Sequence, residues 1–142
     1  CCCGWVFSML VVVRKEVVPD DKETIRELLA SWSDSGEIDV LLTTGGTGFS
    51  PRDVTPEATL EVAERLAPGL AEAMRMESLK VTPHAMLSRA IAGIRERTLI
   101  VNLPGSPKAA LENLEVVIPV LSHAVDLLHD SPTSEKGHQI AK

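Results

Sequence analysis

Apolar residues along this chain follow two alternating patterns, continuous runs and helical stripes. Continuous runs occupy residues 38–43 and 98–103, and such runs are typical of strands that are covered on both faces in a parallel sheet. Three consecutive β-branched residues at 11–13 predict another strand, and residues 16–18 a further extended piece. The chain is therefore expected to contain several buried strands separated by other elements.

The helical stripes fall between and after these runs. Ile25, Leu28, Leu29 and Trp32 are spaced three or four residues apart, which predicts an amphipathic helix over 21–33. Further helices are predicted at 55–66 with Thr55 as N-cap, at 70–76 after a break at residues 68–69, as a turn near 86–90, and at 108–128 with a kink at Pro119.

Strands that alternate with helices predict an α/β fold, a three-layer α/β/α domain with a largely parallel sheet. The domain is expected at 11–129, after an atypical N-terminal segment at 1–10 and before a polar, flexible tail at 130–142. All three cysteines stand at positions 1–3, so no disulfide framework is expected. Palmitoylation sites and metal ligands are the weaker interpretations of these cysteines. The favoured interpretation is that the chain is a fragment or that its first exon is abnormal.

Composition excludes some classes of function. The 142 residues include 20 acidic and 14 basic side chains, a net charge of −6. An acidic excess and few aromatic residues argue against nucleic-acid binding and an anionic membrane surface. No apolar stretch reaches about 20 residues, so no membrane span is expected. The four histidines show no spacing typical of metal ligands.

Two loops rich in glycine and hydroxyl groups follow the apolar runs. The glycine loop, residues 43–53, offers Thr43, Thr44, Gly45, Gly46, Thr47 and Gly48. The second loop, residues 102–108, offers Pro104, Gly105, Ser106 and Lys108 at the start of a helix. Backbone N–H groups in such loops bind anions. Neither loop has the Walker A or dinucleotide-binding spacing, and from spacing alone each is equally well a plain turn.

Three longer motifs identify a family. The strings TTGGTGFSPRDVTPEAT, ESLKVTPHAMLSRAIAGIR and TLIVNLPGSPK together resemble the molybdopterin-binding family of MogA, MoaB, the plant molybdopterin adenylyltransferase domain and the gephyrin G domain. The match runs over about residues 11–129 and is closest to the gephyrin G domain. The resemblance implies a cytoplasmic molybdopterin adenylyltransferase that transfers AMP from Mg-ATP to molybdopterin and releases pyrophosphate. It also implies a homotrimer and a partner domain, like MoeA or the gephyrin E domain, that inserts molybdate.

The resemblance also assigns residues. Asp53 and Asp20 match family positions needed for adenylyl transfer and would hold Mg²⁺, and Ser78 matches a serine at the ligand site. Asp20 is equally well a helix N-cap. By their chemistry, Arg52, Arg89 and Lys108 would meet phosphate or pyrophosphate, or serve as surface or salt-bridge residues, and Ser88 would touch the ligand or shape a turn.

One departure from the family bears on activity. Its members open with a strand that ends in a Ser-Asp-Ser type motif and a helix, and residues 1–10 here do not resemble that unit. We expect the apolar N-terminus to substitute incompletely, so that the chain folds poorly alone and transfers adenylate weakly or not at all. Alternatives are a molybdopterin-binding module with impaired catalysis and a gephyrin-like trimerising scaffold that clusters receptors.

Overall fold

The computed structural model of the protein describes residues 10–130. Four helices, one 3₁₀ helix and four strands make up these residues. In chain order they are α1 (Lys22–Asp34), β1 (Val40–Thr44), α2 (Thr55–Val62), β2 (Arg65–Leu66), α3 (Pro68–Leu79), the 3₁₀ helix (Pro83–Leu87), β3 (Ala92–Arg95), β4 (Thr98–Leu103) and α4 (Pro107–Leu128).

The four strands form one sheet in the order β1-β4-β3-β2. β1 pairs with β4 in parallel, with Val40 opposite Leu99, whereas β3 is antiparallel to both β4 and β2. The α/β class is confirmed, and the sheet is mixed rather than largely parallel. The reason is the turn at Glu96 and Arg97, because two residues are enough to join antiparallel strands but not parallel ones.

Helices cover both faces of the sheet, so the predicted three layers are present. β4 shows this most clearly, because all six of its residues are buried. Leu99, Val101 and Leu103 pack into a core with α3 and α4, while Ile100 packs into a second core with α1 and α2. The second apolar run is therefore covered on both faces, as its sequence predicted.

The first apolar run differs in its place in the sheet. Val40 packs against the core formed with α3 and α4, while Leu41 lies in the core formed with α1 and α2, so both faces of this run are covered as predicted. β1 is nevertheless an edge strand of the described sheet, and Leu42 is 39% exposed. The residues at 11–13, predicted as a strand, form none, and Val11 and Val12 are 80% and 84% exposed. Residues 16–18 likewise form no strand. β-branched residues form strands where a neighbouring strand pairs with them, and no described strand lies beside residues 11–13.

The helices follow the predicted stripes, with local differences. α1 begins after Asp21, whose Oδ2 accepts a hydrogen bond from the Thr24 amide at 2.8 Å. α2 ends at Val62 rather than at residue 66, because residues 65 and 66 pair with β3. Thr55 is the first helical residue and not the N-cap. α3 starts at Pro68, since proline is well accommodated in a first helical turn.

α4 matches its prediction closely and contains Pro119. No helix within residues 10–130 is long and apolar enough to cross a membrane. The predictions for the three cysteines, for the strand-forming capacity of residues 1–9 and for the tail after residue 130 lie outside the described residues.

Candidate functional site

The two loops predicted to bind ligand lie at the same edge of the sheet. Because β1 and β4 are parallel neighbours, their carboxyl ends lie side by side, with Thr44 opposite Leu103. The Gly45 amide donates to the Leu103 carbonyl at 3.1 Å, and the Thr44 hydroxyl donates to the Pro104 carbonyl at 2.9 Å. A Cβ on Gly105 would lie 3.3 Å from the Gly45 Cα. The expected shared position of the two loops is confirmed.

The glycine loop depends on residues without a side chain. Gly45 and Gly46 have φ values of +95° and +66°, which L side chains adopt only at a cost. A Cβ on Gly46 would lie 2.3 Å from the Thr55 Oγ1. The Thr55 amide also donates to the Gly46 carbonyl at 3.2 Å, so the loop is drawn against the start of α2.

Asp53 closes the glycine loop at its far end. Its Oδ2 accepts a hydrogen bond from the Ser50 amide at 3.0 Å, and its own amide donates to the Ser50 carbonyl at 2.9 Å. A Cβ on Gly48 would lie 2.9 Å from the same Oδ2. The Asp53 carboxylate is therefore directed back into the loop, beside the backbone of Gly48.

A cavity of about 280 Å³ lies between the glycine loop, α3, the 3₁₀ helix and α4. Five residues predicted from the sequence line it: Thr47, Gly48, Ser78, Ser88 and Pro104. Most of the remaining lining is apolar, with Met74 and Ala71 among the buried residues. The cavity thus joins both loops with the serine that the family resemblance singled out.

Asn113 is a cavity residue that the sequence analysis missed. It is only 5% exposed, and its Nδ2 donates to the Ser78 Oγ at 3.0 Å and to the Ala109 carbonyl at 2.8 Å. A buried amide of this kind orients the hydroxyl with which it is paired. The feature of the sequence that could have indicated Asn113 is that it is a polar residue on the apolar side of α4.

Arg89 was expected either to meet phosphate or to be a surface or salt-bridge residue, and the structure shows the salt bridge, to Glu57, together with contacts to the glycine loop. Its Nε donates to the Gly48 carbonyl at 2.7 Å, its Nη2 donates to the Asp53 carbonyl at 2.6 Å, and its Nη1 binds the Glu57 carboxylate. The hydrogen bond from Arg89 holds the pKa of Glu57 below its ordinary value. Arg89 therefore ties the glycine loop to α2.

Asn102 supports the loops from within the sheet. It is fully buried, and its Nδ2 donates to the hydroxyls of Thr43 and Thr59 at 3.0 and 2.9 Å. The Ile91 amide donates to its Oδ1 at 3.3 Å. The Thr43 hydroxyl is therefore committed to the interior.

Other predicted residues lie outside the cavity. Asp20 is exposed beside α1, and its carboxylate makes no hydrogen bond or ion pair with residues 10–130. Because Asp21 is the N-cap of α1, Asp20 has no capping role. Arg52 and Lys108 are exposed, and Ser106 begins α4 without a capping hydrogen bond from its side chain.

Metal-ligating side chains do not form a ready cluster in the described part of the chain. No three His, Cys, Asp or Glu residues there converge. Mg²⁺, however, is usually held by one or two carboxylates together with substrate phosphates and water. Asp53 is the one residue of the loop 43–53 that carries a carboxylate. It therefore fits a Mg²⁺ ion that is held jointly by the protein and by substrate phosphates.

Comparison with known proteins gives consistent results. Residues 7–123 match a family described as a probable molybdopterin binding domain. The chain is 50% identical to gephyrin of Dictyostelium discoideum over 127 residues, which is 89% of this chain and 18% of gephyrin. It is 49% identical to the molybdopterin adenylyltransferase of Helicobacter pylori strain J99 over 113 residues, 80% of this chain and 64% of that enzyme. The chain thus spans less than two thirds of these relatives.

A solved structure shows the same fold. The molybdopterin biosynthesis enzyme MoaB from Thermus thermophilus superposes with a TM-score of 0.80 at 54% identity, covering 86% of this chain and 77% of the other.

Proposed function

The chain belongs to the family of probable molybdopterin-binding domains, and from this membership we propose that it is a molybdopterin adenylyltransferase of molybdenum cofactor biosynthesis. In the proposed reaction the terminal phosphate of molybdopterin attacks the α-phosphorus of ATP. A new P–O bond forms to the α-phosphorus as its bond to the oxygen that bridges the α- and β-phosphates breaks, and pyrophosphate leaves with that oxygen. Relatives named molybdopterin adenylyltransferase match 80% of the chain at 45–50% identity.

One observation carries the proposal: two glycine-containing loops and a partly buried serine meet at one cavity beside Asp53. Phosphoryl transfer needs positioning and charge neutralisation more than covalent catalysis. The amides of residues 46–48 and the N-terminus of α4 offer N–H groups to phosphate oxygens. Ser78, held by Asn113 at 3.0 Å, offers a hydroxyl of fixed position.

Charge is supplied by residues around the cavity. When bound, Mg²⁺ would neutralise phosphate oxygens, and Asp53 would hold it, with the exposed Asp20 proposed from the family resemblance as a second carboxylate. Arg52 and Lys108 are exposed and available for the phosphates, since Lys108 lies 3.8 Å from its nearest carboxylate, that of Glu112, and is 81% exposed. Ser88, which lines the cavity, completes the proposed ligand contacts.

The remaining assignments follow from the family. From the family resemblance we infer a homotrimer and a cytoplasmic location. We also infer a partner domain that inserts molybdate, since gephyrin of Dictyostelium discoideum extends far beyond the region matched here. A binding module with impaired catalysis or a receptor-clustering scaffold is not favoured, because named adenylyltransferases match most of the chain.

Asp53→Asn in the full chain tests the proposal. The amide keeps the shape of the side chain but loses its charge, so Mg²⁺-dependent pyrophosphate release from ATP and molybdopterin should fall by about 100-fold or more, while molybdopterin binding is largely kept. Asp39→Asn is the matched control, because Asp39 lies before β1, at the opposite end of the sheet, beside His129. Equal activity in Asp53→Asn would remove Asp53 from the catalytic group, and a parent chain without pyrophosphate release would refute the function.

A further inference from the structure

Arg89 is bound to both sides of the exposed tip of the glycine loop. Its backbone amide donates to the Thr47 carbonyl at 2.8 Å and its Nε donates to the Gly48 carbonyl at 2.7 Å, which lie before the tip. Its Nη2 donates to the Asp53 carbonyl at 2.6 Å, after the tip. Residues 49–52 between these points are exposed. A single side chain thus fixes the distance between the two ends of the tip.

The other contacts of the loop lie at its base or within the tip itself. At the base, the Gly45 amide donates to the Leu103 carbonyl and the Thr55 amide donates to the Gly46 carbonyl. Within the tip, Ser50 and Asp53 exchange hydrogen bonds in a short turn, and the Arg52 amide donates to the Ser50 hydroxyl at 3.4 Å. The direction of the Asp53 carboxylate depends on the position of this turn. Because Arg89 holds the main chain of Asp53 itself, loss of the guanidinium should release that carboxylate.

Arg89 is in turn anchored to the framework of the protein. From α3, Arg75 donates to the Ala90 carbonyl at 2.7 Å and to the Ser88 carbonyl at 3.4 Å, on either side of Arg89. On its other side the Arg89 guanidinium binds the carboxylate of Glu57 in α2. The contacts form a continuous connection from α3, past Ser88 at the cavity, to the glycine loop and α2.

The same contacts argue against a direct role in binding phosphate. Nε, Nη1 and Nη2 of Arg89 each already have an acceptor, two of them main-chain carbonyls and the third a carboxylate. These contacts use four of the five guanidinium N–H groups, so a phosphate held by two of those groups would have to displace Glu57 or release the loop. Arg52 and Lys108 are exposed, and within residues 10–130 Lys108 has only a surface ion pair with Glu112 at 3.8 Å.

We propose that Arg89 is a positioning residue, which acts on adenylyl transfer by holding the glycine loop in the shape that presents Asp53. The effect of Arg89 on catalysis rests on the proposed function, whereas its effect on the shape of the loop rests on the observed contacts alone. Arginine suits the role, since its planar fork serves several acceptors at fixed angles, whereas lysine is a single flexible point charge.

The experiment compares Arg89→Ala, Arg89→Lys and Glu57→Gln in the full chain with Arg97→Ala as control. Arg97 is exposed in the turn between β3 and β4, at the other end of the sheet. Two quantities are measured: kcat and KM for pyrophosphate release with Mg-ATP and molybdopterin, and amide hydrogen exchange of residues 45–55 by mass spectrometry.

For Arg89→Ala we expect kcat to fall about 10- to 100-fold, as for a reacting group misplaced by about 1 Å, with the KM values changed less than about threefold. Exchange in residues 45–55 should become faster, while exchange in β4 stays unchanged. Arg89→Lys should not restore kcat. Glu57→Gln should lower kcat less than Arg89→Ala does, because the bonds from Arg89 to the two loop carbonyls remain.

Three results would overturn the proposal: loop exchange as slow as in the parent chain, a faster loop with unchanged kcat, or a raised KM for ATP with unchanged kcat, which would indicate direct contact with substrate. If Arg89→Ala fails to fold, as judged by circular dichroism, Arg89→Lys and Glu57→Gln decide by the same criteria. If the parent chain releases no pyrophosphate, the proposed function fails separately, and the exchange of residues 45–55 alone then supports or overturns the locking of the loop by Arg89.

Discussion

Gly46 is the position where the glycine loop tolerates a side chain least. Its φ of +66° lies in the left-handed region, and a Cβ there would lie 2.3 Å from Oγ1 and 3.3 Å from Cβ of Thr55. Thr55 is only 5% exposed and begins α2. Because threonine is branched at Cβ, it has little rotamer freedom with which to move away. Gly46→Ala should therefore displace either the loop or the start of α2.

The expected cost has two parts. The left-handed conformation costs an alanine about 1–2 kcal/mol, and forcing an extra methyl group into a filled site costs typically about 1–3 kcal/mol. We therefore expect Gly46→Ala to lower the free energy of unfolding by about 2–5 kcal/mol. Gly36→Ala is the matched control, because Gly36 has a φ of +71° and no atom within 4 Å of an added Cβ. Gly36→Ala should lower the free energy of unfolding only by the cost of the left-handed conformation, about 1–2 kcal/mol.

Urea denaturation of the two variants and the parent chain measures both costs through the linear dependence of stability on denaturant. Pyrophosphate release by Gly46→Ala, measured under conditions in which the variant is folded, should also fall, because residues 46–48 carry the amides offered to phosphate. Equal destabilisation by Gly36→Ala and Gly46→Ala would refute the close approach of the loop to Thr55. Full activity in Gly46→Ala would refute the role of loop shape in the site.

Two further predictions concern the support of the site. Asn102→Ala should lower the free energy of unfolding by about 2–4 kcal/mol, measured in urea, because the buried Thr59 hydroxyl, the half-buried Thr43 hydroxyl and the Ile91 amide lose their partner; a loss below about 0.5 kcal/mol would contradict this network. The pKa values of Glu57 and Asp34 are held low by hydrogen bonds from Arg89 and Arg95, so these carboxylates stabilise the fold above their unfolded pKa values and lose that contribution as the pH falls below about 4. Glu57→Gln should therefore flatten the dependence of stability on pH below about 5 in urea titrations, and an unchanged slope would contradict the pairing.

Long periodic elements and buried runs were predictable from the sequence. α1 and α4 carry apolar residues at helical spacing, and β4 is a mostly apolar run whose six residues are all buried. β2 and β3 were not predicted, because β2 has two residues and β3 contains both a glycine and an arginine. The strand predicted at 11–13 was wrong for the opposite reason: its composition favours a strand, but pairing decides whether one forms.

The candidate site divides in the same way. The meeting of the glycine loop with Gly105 followed from two adjacent parallel strands, so their motifs alone predicted it. The contacts of Arg89 did not, because its acceptors are main-chain carbonyls 36 and 41 residues away and carry no sequence signal. Ser78 and Asn113 are 35 residues apart and meet only when α3 packs on α4.

Transfer of the α-phosphate of ATP to molybdopterin by the full chain tests the central claim most directly. With ATP labelled at the α-phosphate and Mg²⁺ present, we expect the label to move to the pterin product as pyrophosphate appears in equal amount. The Asp53→Asn variant should lose this transfer. Movement of the γ-phosphate with formation of ADP, or no transfer of label to the pterin, would contradict the proposed function.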